Sequence, residues 1–479
     1  MKKSSLCILS LLLVLGAAGV LNARGASAQR APRAAHGAAA VAAAPSTAVT
    51  DALSAIAIER TTFENGLRVV VNSDHTVPTV AIAVYYDVGS RNEVRGRSGF
   101  AHLFEHLMFE GSANVARNEH FTYIAARGGD ANATTSDDRT NYFETLPSNE
   151  LALGLWLEAD RMASLDISEE AFANQRTTVL QERQQNYESQ PYALSFLRAN
   201  ELAYGDYFPY SHSTIGDVQD VVHSPLSAVQ EFWQHHYAPN NAVLVISGDV
   251  EPADAIAAAH QYFDRVPRRE VAAYEPGEMA PQTGERHETM MDPLADLPAF
   301  HVEWHIPANR EPDHYALEML SAVLGDGDSS RLYRSLVHEG EILSEIGVGT
   351  DDRRGPDLFS VFGLLQEGHT ADEARTAIYA AIAEVAAHGI PAREMERVQN
   401  RIRAYFVVGQ QSNLMRAEHL AEFELYYGDA TLLRTELDRY LAVTSADIQR
   451  VAGQYFAETN RTVLDVVPPP EPAATRGAQ

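Results

Sequence analysis

Only one cysteine occurs in the 479 residues, Cys7, and it lies inside the apolar run near the amino terminus. Beyond that run the chain has no thiol, which excludes disulfide staples, a cysteine nucleophile and a lipidated cysteine following the run. Positive charge is also scarce. Lys and Arg number 37 against 65 Asp and Glu, for a formal net charge of −28. With no basic stripe to meet a phosphate backbone, nucleic acid is excluded as a partner. The acidic excess reads first as a solvated surface, and only secondarily as a preference for cationic peptides. Long apolar runs are missing too. The stretch from Leu6 to Val20 has about 15 residues, short of the ~20 that cross a bilayer as a helix. Lys2 and Lys3 precede it, and Ala26-Ser27-Ala28 offers a small-residue cleavage site. Residues 1–28 therefore read as a secretory signal peptide, which implies a periplasmic or secreted protein with no membrane span after cleavage.

With 45% hydrophobic and 21% charged residues, the chain can bury more than one core, and its length predicts at least two domains. Residues 29–57 are rich in Ala, Pro and Ser and read as a flexible leader. A first domain is expected over 58–267, a Pro- and charge-rich linker over 268–286, a second domain over 287–467 and a disordered tail over 468–479. Asn65-Gly66 marks a turn between strand-like runs, Leu151 to Ser164 is periodic as a helix, and Ser168 precedes Glu169 and Glu170 as a helix cap.

The most informative stretch is 98–111, SGFAHLFEHLMFEG. On a helix His102 and His106 stand one turn apart on one face, as two ligands of one metal must. Glu105 lies beside both, within reach of a water at such a metal. Leu103, Phe104, Leu107 and Met108 suit a buried helix, where unpaired polar groups are costly. Two imidazoles, one further ligand and one open position describe a catalytic zinc site. The pattern H-x-x-E-H is a zinc signature, but the spacing alone also fits a structural pair of histidines.

Downstream, residues 172–187 read as a polar-faced helix carrying Glu182, 76 residues after His106. With that helix, the chain resembles the pitrilysin/insulinase family of inverted-motif zinc peptidases, which includes the mitochondrial processing peptidases. The segments 128–135 (GGDANATT) and 237–249 (YAPNNAVLVISGD) extend the resemblance, which covers roughly 59–467. It implies one zinc per chain held by His102, His106 and Glu182, with Glu105 as the catalytic base. It also implies an edge strand whose Asn132, Ala133 and Thr134 align a peptide substrate by main-chain hydrogen bonds. The implied fold class is α+β: two homologous α/β-sandwich domains, each an antiparallel-rich sheet with helices packed on it, forming a clamp. Only the first bears metal.

Two departures from the family pattern stand out. Gln175 occupies a place where members often carry a glutamate. More seriously, the arginine and tyrosine that active members present from the second domain normally follow a segment like 330–336. Here the continuation is VHEGEILSE, residues 337–345, without such a pair. The reading is a zinc metalloendopeptidase acting on peptides or unfolded segments as a dimer, with a homologous subunit that lacks the zinc motif and supplies the missing pair. A non-catalytic peptide-binding or assembly protein of the same fold is the alternative. His301, Glu303 and His305 alternate on a strand-like run and could share a metal. The simpler reading makes them the polar face of a strand whose other face is Phe300, Val302, Trp304 and Ile306.

Overall fold

The computed structural model describes residues 53–470. The expected signal peptide, most of the leader and most of the tail lie outside them. Two mixed sheets organise the chain. The first contains β1 (Glu59–Thr62), β2 (Arg68–Ser73), β3 (Thr79–Tyr86), β4 (Asp130–Thr135), β5 (Thr140–Pro147) and β6 (Ala242–Gly248), in the order β1-β2-β6-β3-β5-β4. The second contains β7 (Arg286–Met291), β8 (Ala299–Ile306), β9 (Leu343–Thr350), β10 (Asp357–Leu365) and β11 (Arg461–Val467), in the order β7-β11-β8-β10-β9.

The two sheets share one topology. In each, a parallel pair (β2 with β6, β7 with β11) leads to antiparallel partners, ending in an edge strand (β4, β9). The α+β class and the duplication are thus both visible in the strand order. Among the helices that pack on these sheets or carry polar clusters are α1 (Phe100–Leu107), α2 (Glu119–Ala126), α3 (Leu151–Ser164), α4 (Glu169–Arg183), α5 (Ala193–Tyr204), α6 (Pro312–Gly325) and α7 (Asn413–Tyr427).

Nearly every residue of β3 is buried, because both faces of the first sheet are covered. Val80, Ile82, Val84 and Tyr86 join the core beneath the helices of the first half. Ala81, Ala83 and Tyr85 face the opposite way and meet Ala417, Leu420 and Ala421 of α7, a helix from the second half. The alternation is that of a strand, and small residues on the α7 side let helix and sheet approach closely. The exchange is reciprocal. Helix α5, from the first half, lays Ala199 on Ala299, Leu464 and Val466 of the second sheet. Each half therefore completes the core of the other.

That exchange explains the polar alternation on β8. Phe300, Val302, Trp304 and Ile306 line the second core, as the pattern predicts. His301 and Glu303 are buried rather than wet, since α5 covers their side. Ser195 Oγ lies 2.7 Å from His301 Nε2, His305 Nε2 lies 3.0 Å from the Ala203 carbonyl oxygen, and the Ser360 hydroxyl donates to Glu303. Burial drives the His301 pKa down to about 3 and pushes Glu303 up to about 8, the Ser360 hydrogen bond opposing the latter shift only in part. A carboxyl whose folded pKa exceeds its unfolded value loses stability as pH rises between the two. Glu303→Gln is therefore expected to match the wild type in melting temperature near pH 4. Towards pH 8 it should become the more stable protein, by on the order of 4 kcal/mol at most. Thermal melts across that range are the check, and parallel pH profiles for the two proteins would refute the assignment.

Candidate active site

Helix α1 begins at Gly99, which adopts φ 86, in the left-handed region. A Cβ there would lie 2.8 Å from the Ile215 carbonyl oxygen, so glycine is required by both conformation and space. The free N–H groups of the first turn are met from outside the helix. Buried Glu93 accepts from Gly99 N and Ala101 N, both at 2.8 Å, and lies 3.0 Å from His212 Nε2. Ser98 adds a second anchor through Asp220, 2.7 Å from its hydroxyl. Neither anchor has a local sequence signature, so neither is foreseeable from the sequence.

The opposite face of α1 carries the motif. His102 Nε2 and His106 Nε2 are 3.3 Å apart. Glu182, near the end of α4, brings Oε2 to 3.2 Å from His106 Nε2 and 3.6 Å from His102 Nε2. The three atoms thus form a nearly equilateral triangle. Ligand bonds of about 2.0 Å at tetrahedral angles place neighbouring donors about 3.3 Å apart, so the donor set and spacing fit zinc. Immediately after Glu182 the helix widens into a π turn, Gln184–Glu188. Such turns recur at functional sites because they re-aim side chains within a continuous helix.

The surroundings tune the three groups differently. Burial, reinforced by the neighbouring His106, lowers the pKa of His102 below 6.5. For His106 burial works in the same direction, but the hydrogen bond to Glu182 and the fields of Glu105 and Glu182 outweigh it and raise the pKa. Burial opposes ionisation of Glu182, yet the two histidines hold its pKa below the usual value. Gln175 lies against His106 and donates its amide to Glu110, which also pairs with Arg117 at 3.1 Å.

Glu105 lies with His102 and His106 in one group whose ligand atoms fall within 4.8 Å of one another. Its Oε2 accepts from Thr135 Oγ1 at 2.7 Å. Thr135 is the last residue of β4, the edge strand that also carries Asn132, Ala133 and Thr134. Ala133 N–H donates to Asn132 Oδ1 at 2.9 Å, and Arg139 Nη1 donates to the Thr134 carbonyl at 3.1 Å. An unpaired strand edge therefore ends at the carboxylate beside the histidines. His301, Glu303 and His305 do not converge on a common point of this kind.

Comparison with known proteins shows what the chain as a whole is similar to. The family model described as Insulinase (Peptidase family M16) matches residues 68–207, and that for the Peptidase M16 inactive domain matches 225–402. The zinc protease PqqE of Helicobacter pylori is 28% identical over 422 residues, covering 86% of this chain and 93% of that protein. The crystal structure of a protease from Helicobacter pylori has a TM-score of 0.82, with 28% identity, covering 86% of this chain and 100% of that one. The periplasmic protease PqqL of Escherichia coli, at 19% identity and a TM-score of 0.70, shares the fold. The match covers 86% of this chain but only 47% of PqqL. No helix among the described residues is long and apolar enough to cross a membrane.

Proposed function

Because this chain belongs to the insulinase family of peptidases, M16, we propose that it is a zinc-dependent endopeptidase that cuts extended peptides or unfolded segments together with a related second chain. The observation that carries this reading is the meeting of His102, His106 and Glu182 from two separate helices, with Glu105 held at the end of an edge strand. A bound zinc supplies Lewis-acid polarisation of a peptide carbonyl and acidifies water towards neutrality. The chain's own residues do the rest. His102, with its lowered pKa, presents a free lone pair at neutral pH, and Glu182 presents a carboxylate. Glu105 accepts a proton from water and returns it to the leaving nitrogen, its carboxylate fixed by Thr135. A substrate strand added to β4 along Asn132, Ala133 and Thr134 runs directly towards Glu105, held by main-chain bonds that ask little of its sequence.

A second chain is proposed on two grounds. Residues 337–345 offer no arginine–tyrosine pair; they form the end of the π turn Tyr333–Glu339 and the start of β9. The fold also matches about half of the longer PqqL chain, and on that likeness a working unit of two such copies is proposed. From the signal peptide read over 1–28, a periplasmic or secreted location is part of the proposal. In the test, the full chain is assayed for zinc content and for cleavage of a quenched, unstructured peptide. Both are done with and without a homologous chain that carries the arginine and tyrosine. Bound zinc with turnover raised at least tenfold by the second chain is the expected result. Zinc with unchanged turnover removes the shared-site idea and keeps the peptidase. A chain that binds no zinc and cleaves nothing under either condition is instead a binding or assembly protein.

A further inference from the structure

Three clusters of histidine and carboxylate among the described residues come close enough to hold an ion: the motif, His120 with Glu144 and Glu158, and His314 with Asp352 and Asp357. In the second cluster Arg161 already engages both oxygens of Glu158, and a cation there would compete with a guanidinium. In the third the nearest guanidinium, Arg353, stands 3.6 Å from Asp357 and makes no hydrogen bond to the three residues.

We infer that His314, Asp352 and Asp357, with Glu318 beside them, form a second divalent-cation site in the non-motif half, suited to zinc or manganese. Its place in the fold is the counterpart of the first site. In the first half α1 follows β3 and precedes the hairpin β4–β5. In the second half α6 follows β8 and precedes the hairpin β9–β10. His314 and Glu318 stand one turn apart on α6, as His102 and His106 do on α1. Asp352 follows the end of β9, and Asp357 opens β10.

The spacing matches as well. His314 Nε2 is 3.1 Å from Asp357 Oδ2 and 3.6 Å from Asp352 Oδ1, compared with 3.3, 3.2 and 3.6 Å among the three motif ligands. Asp357 is fully buried, and its Oδ1 has no hydrogen-bond donor. The nearest cation, Arg353 Nη1, stands off at 3.6 Å and is shared with Asp351 and Asp137. Besides Asp357, the Asp352 and Glu318 charges both act on His314. Burial works against charge on Asp352 and Glu318, and a divalent cation would offset that cost. A donor set of one imidazole and two or three carboxylate oxygens suits zinc or manganese better than copper or calcium.

The test strips the full chain with a chelator, reloads it with zinc or separately with manganese, and counts the metal retained after desalting. About two equivalents of at least one metal are expected for the wild type, one per donor set. That count should fall by one in Asp352→Asn or His314→Gln, and independently by one in Glu182→Gln. The Asp352 side chain is half exposed, so its substitution leaves the core intact even where changing buried His314 does not. Retention of the wild-type count by both second-half variants overturns the inference. A single wild-type equivalent that Asp352→Asn abolishes and Glu182→Gln keeps upholds this site and removes the motif site instead.

Discussion

Glu105→Gln is expected to leave zinc content at the wild-type level and to lower cleavage of an unstructured peptide by roughly 10²–10⁴-fold. The substitution removes one proton-accepting oxygen and keeps the shape of the side chain. The Thr135 hydroxyl still finds an amide oxygen at the same distance from the backbone, so the edge strand and α1 stay in register. His102, His106 and Glu182 lie close together independently of Glu105, through Nε2 and Oε2 atoms that the change does not touch. Metal affinity and chemistry are thereby separated: a loss confined to turnover assigns Glu105 to proton transfer. Cleavage within threefold of wild type would place the base elsewhere, and loss of zinc would show that Glu105 supports the metal instead. Zinc analysis and initial rates on one preparation distinguish the three outcomes.

Much of this arrangement is legible in the sequence because it is local. A one-turn spacing of His102 and His106 needs only a helix, and α1 is that helix. The helix at Leu151–Ser164, the cap at Ser168 and the turn at Gly66 each depend on neighbours in sequence and stand where the pattern puts them. Glu182 is reachable only through family resemblance, since nothing within 76 residues of His106 dictates that α4 will bend back against α1. The exchanged helices are not legible. Ala417 and Ala421 look like any helical alanines until they meet Ala81 and Ala83 more than 300 residues earlier. For the same reason His301 and Glu303 read as the polar side of a strand, and only the return of α5 shows that side to be buried. His314 has no visible partner in the sequence because Asp352 and Asp357 reach it across a hairpin that only the sheet order fixes.

The largest stability loss is expected from Arg161→Met, by about 3–5 kcal/mol. Glu144, Glu158 and Arg161 lie inside the first core, on β5 and α3, nearly devoid of solvent. Burial, and then the charge of Glu158, push the Glu144 pKa far above its ordinary value, so that carboxyl stays protonated. Arg161 answers Glu158 with Nε at 3.0 Å and a second bond from Nη2. The guanidinium also lies over Tyr142 at 4.4 Å and Phe109 at 4.9 Å. Methionine can fill the space against those rings, so the loss isolates charge from packing. It leaves Glu158 as an unpaired buried carboxylate, which is what makes breaking such a pair expensive. A fall in melting temperature on the order of 10 °C is expected for a unit of this size. Adding Glu158→Gln to Arg161→Met removes the stranded charge and should restore most of that fall. Tyr142 donates to the Phe104 carbonyl of α1 at 3.0 Å, so the same core carries the motif helix, and zinc affinity should weaken in the single variant and recover in the double. Additive losses in the double variant would mean that Glu158 is already neutral in the folded protein, with Arg161 serving the aromatic rings alone.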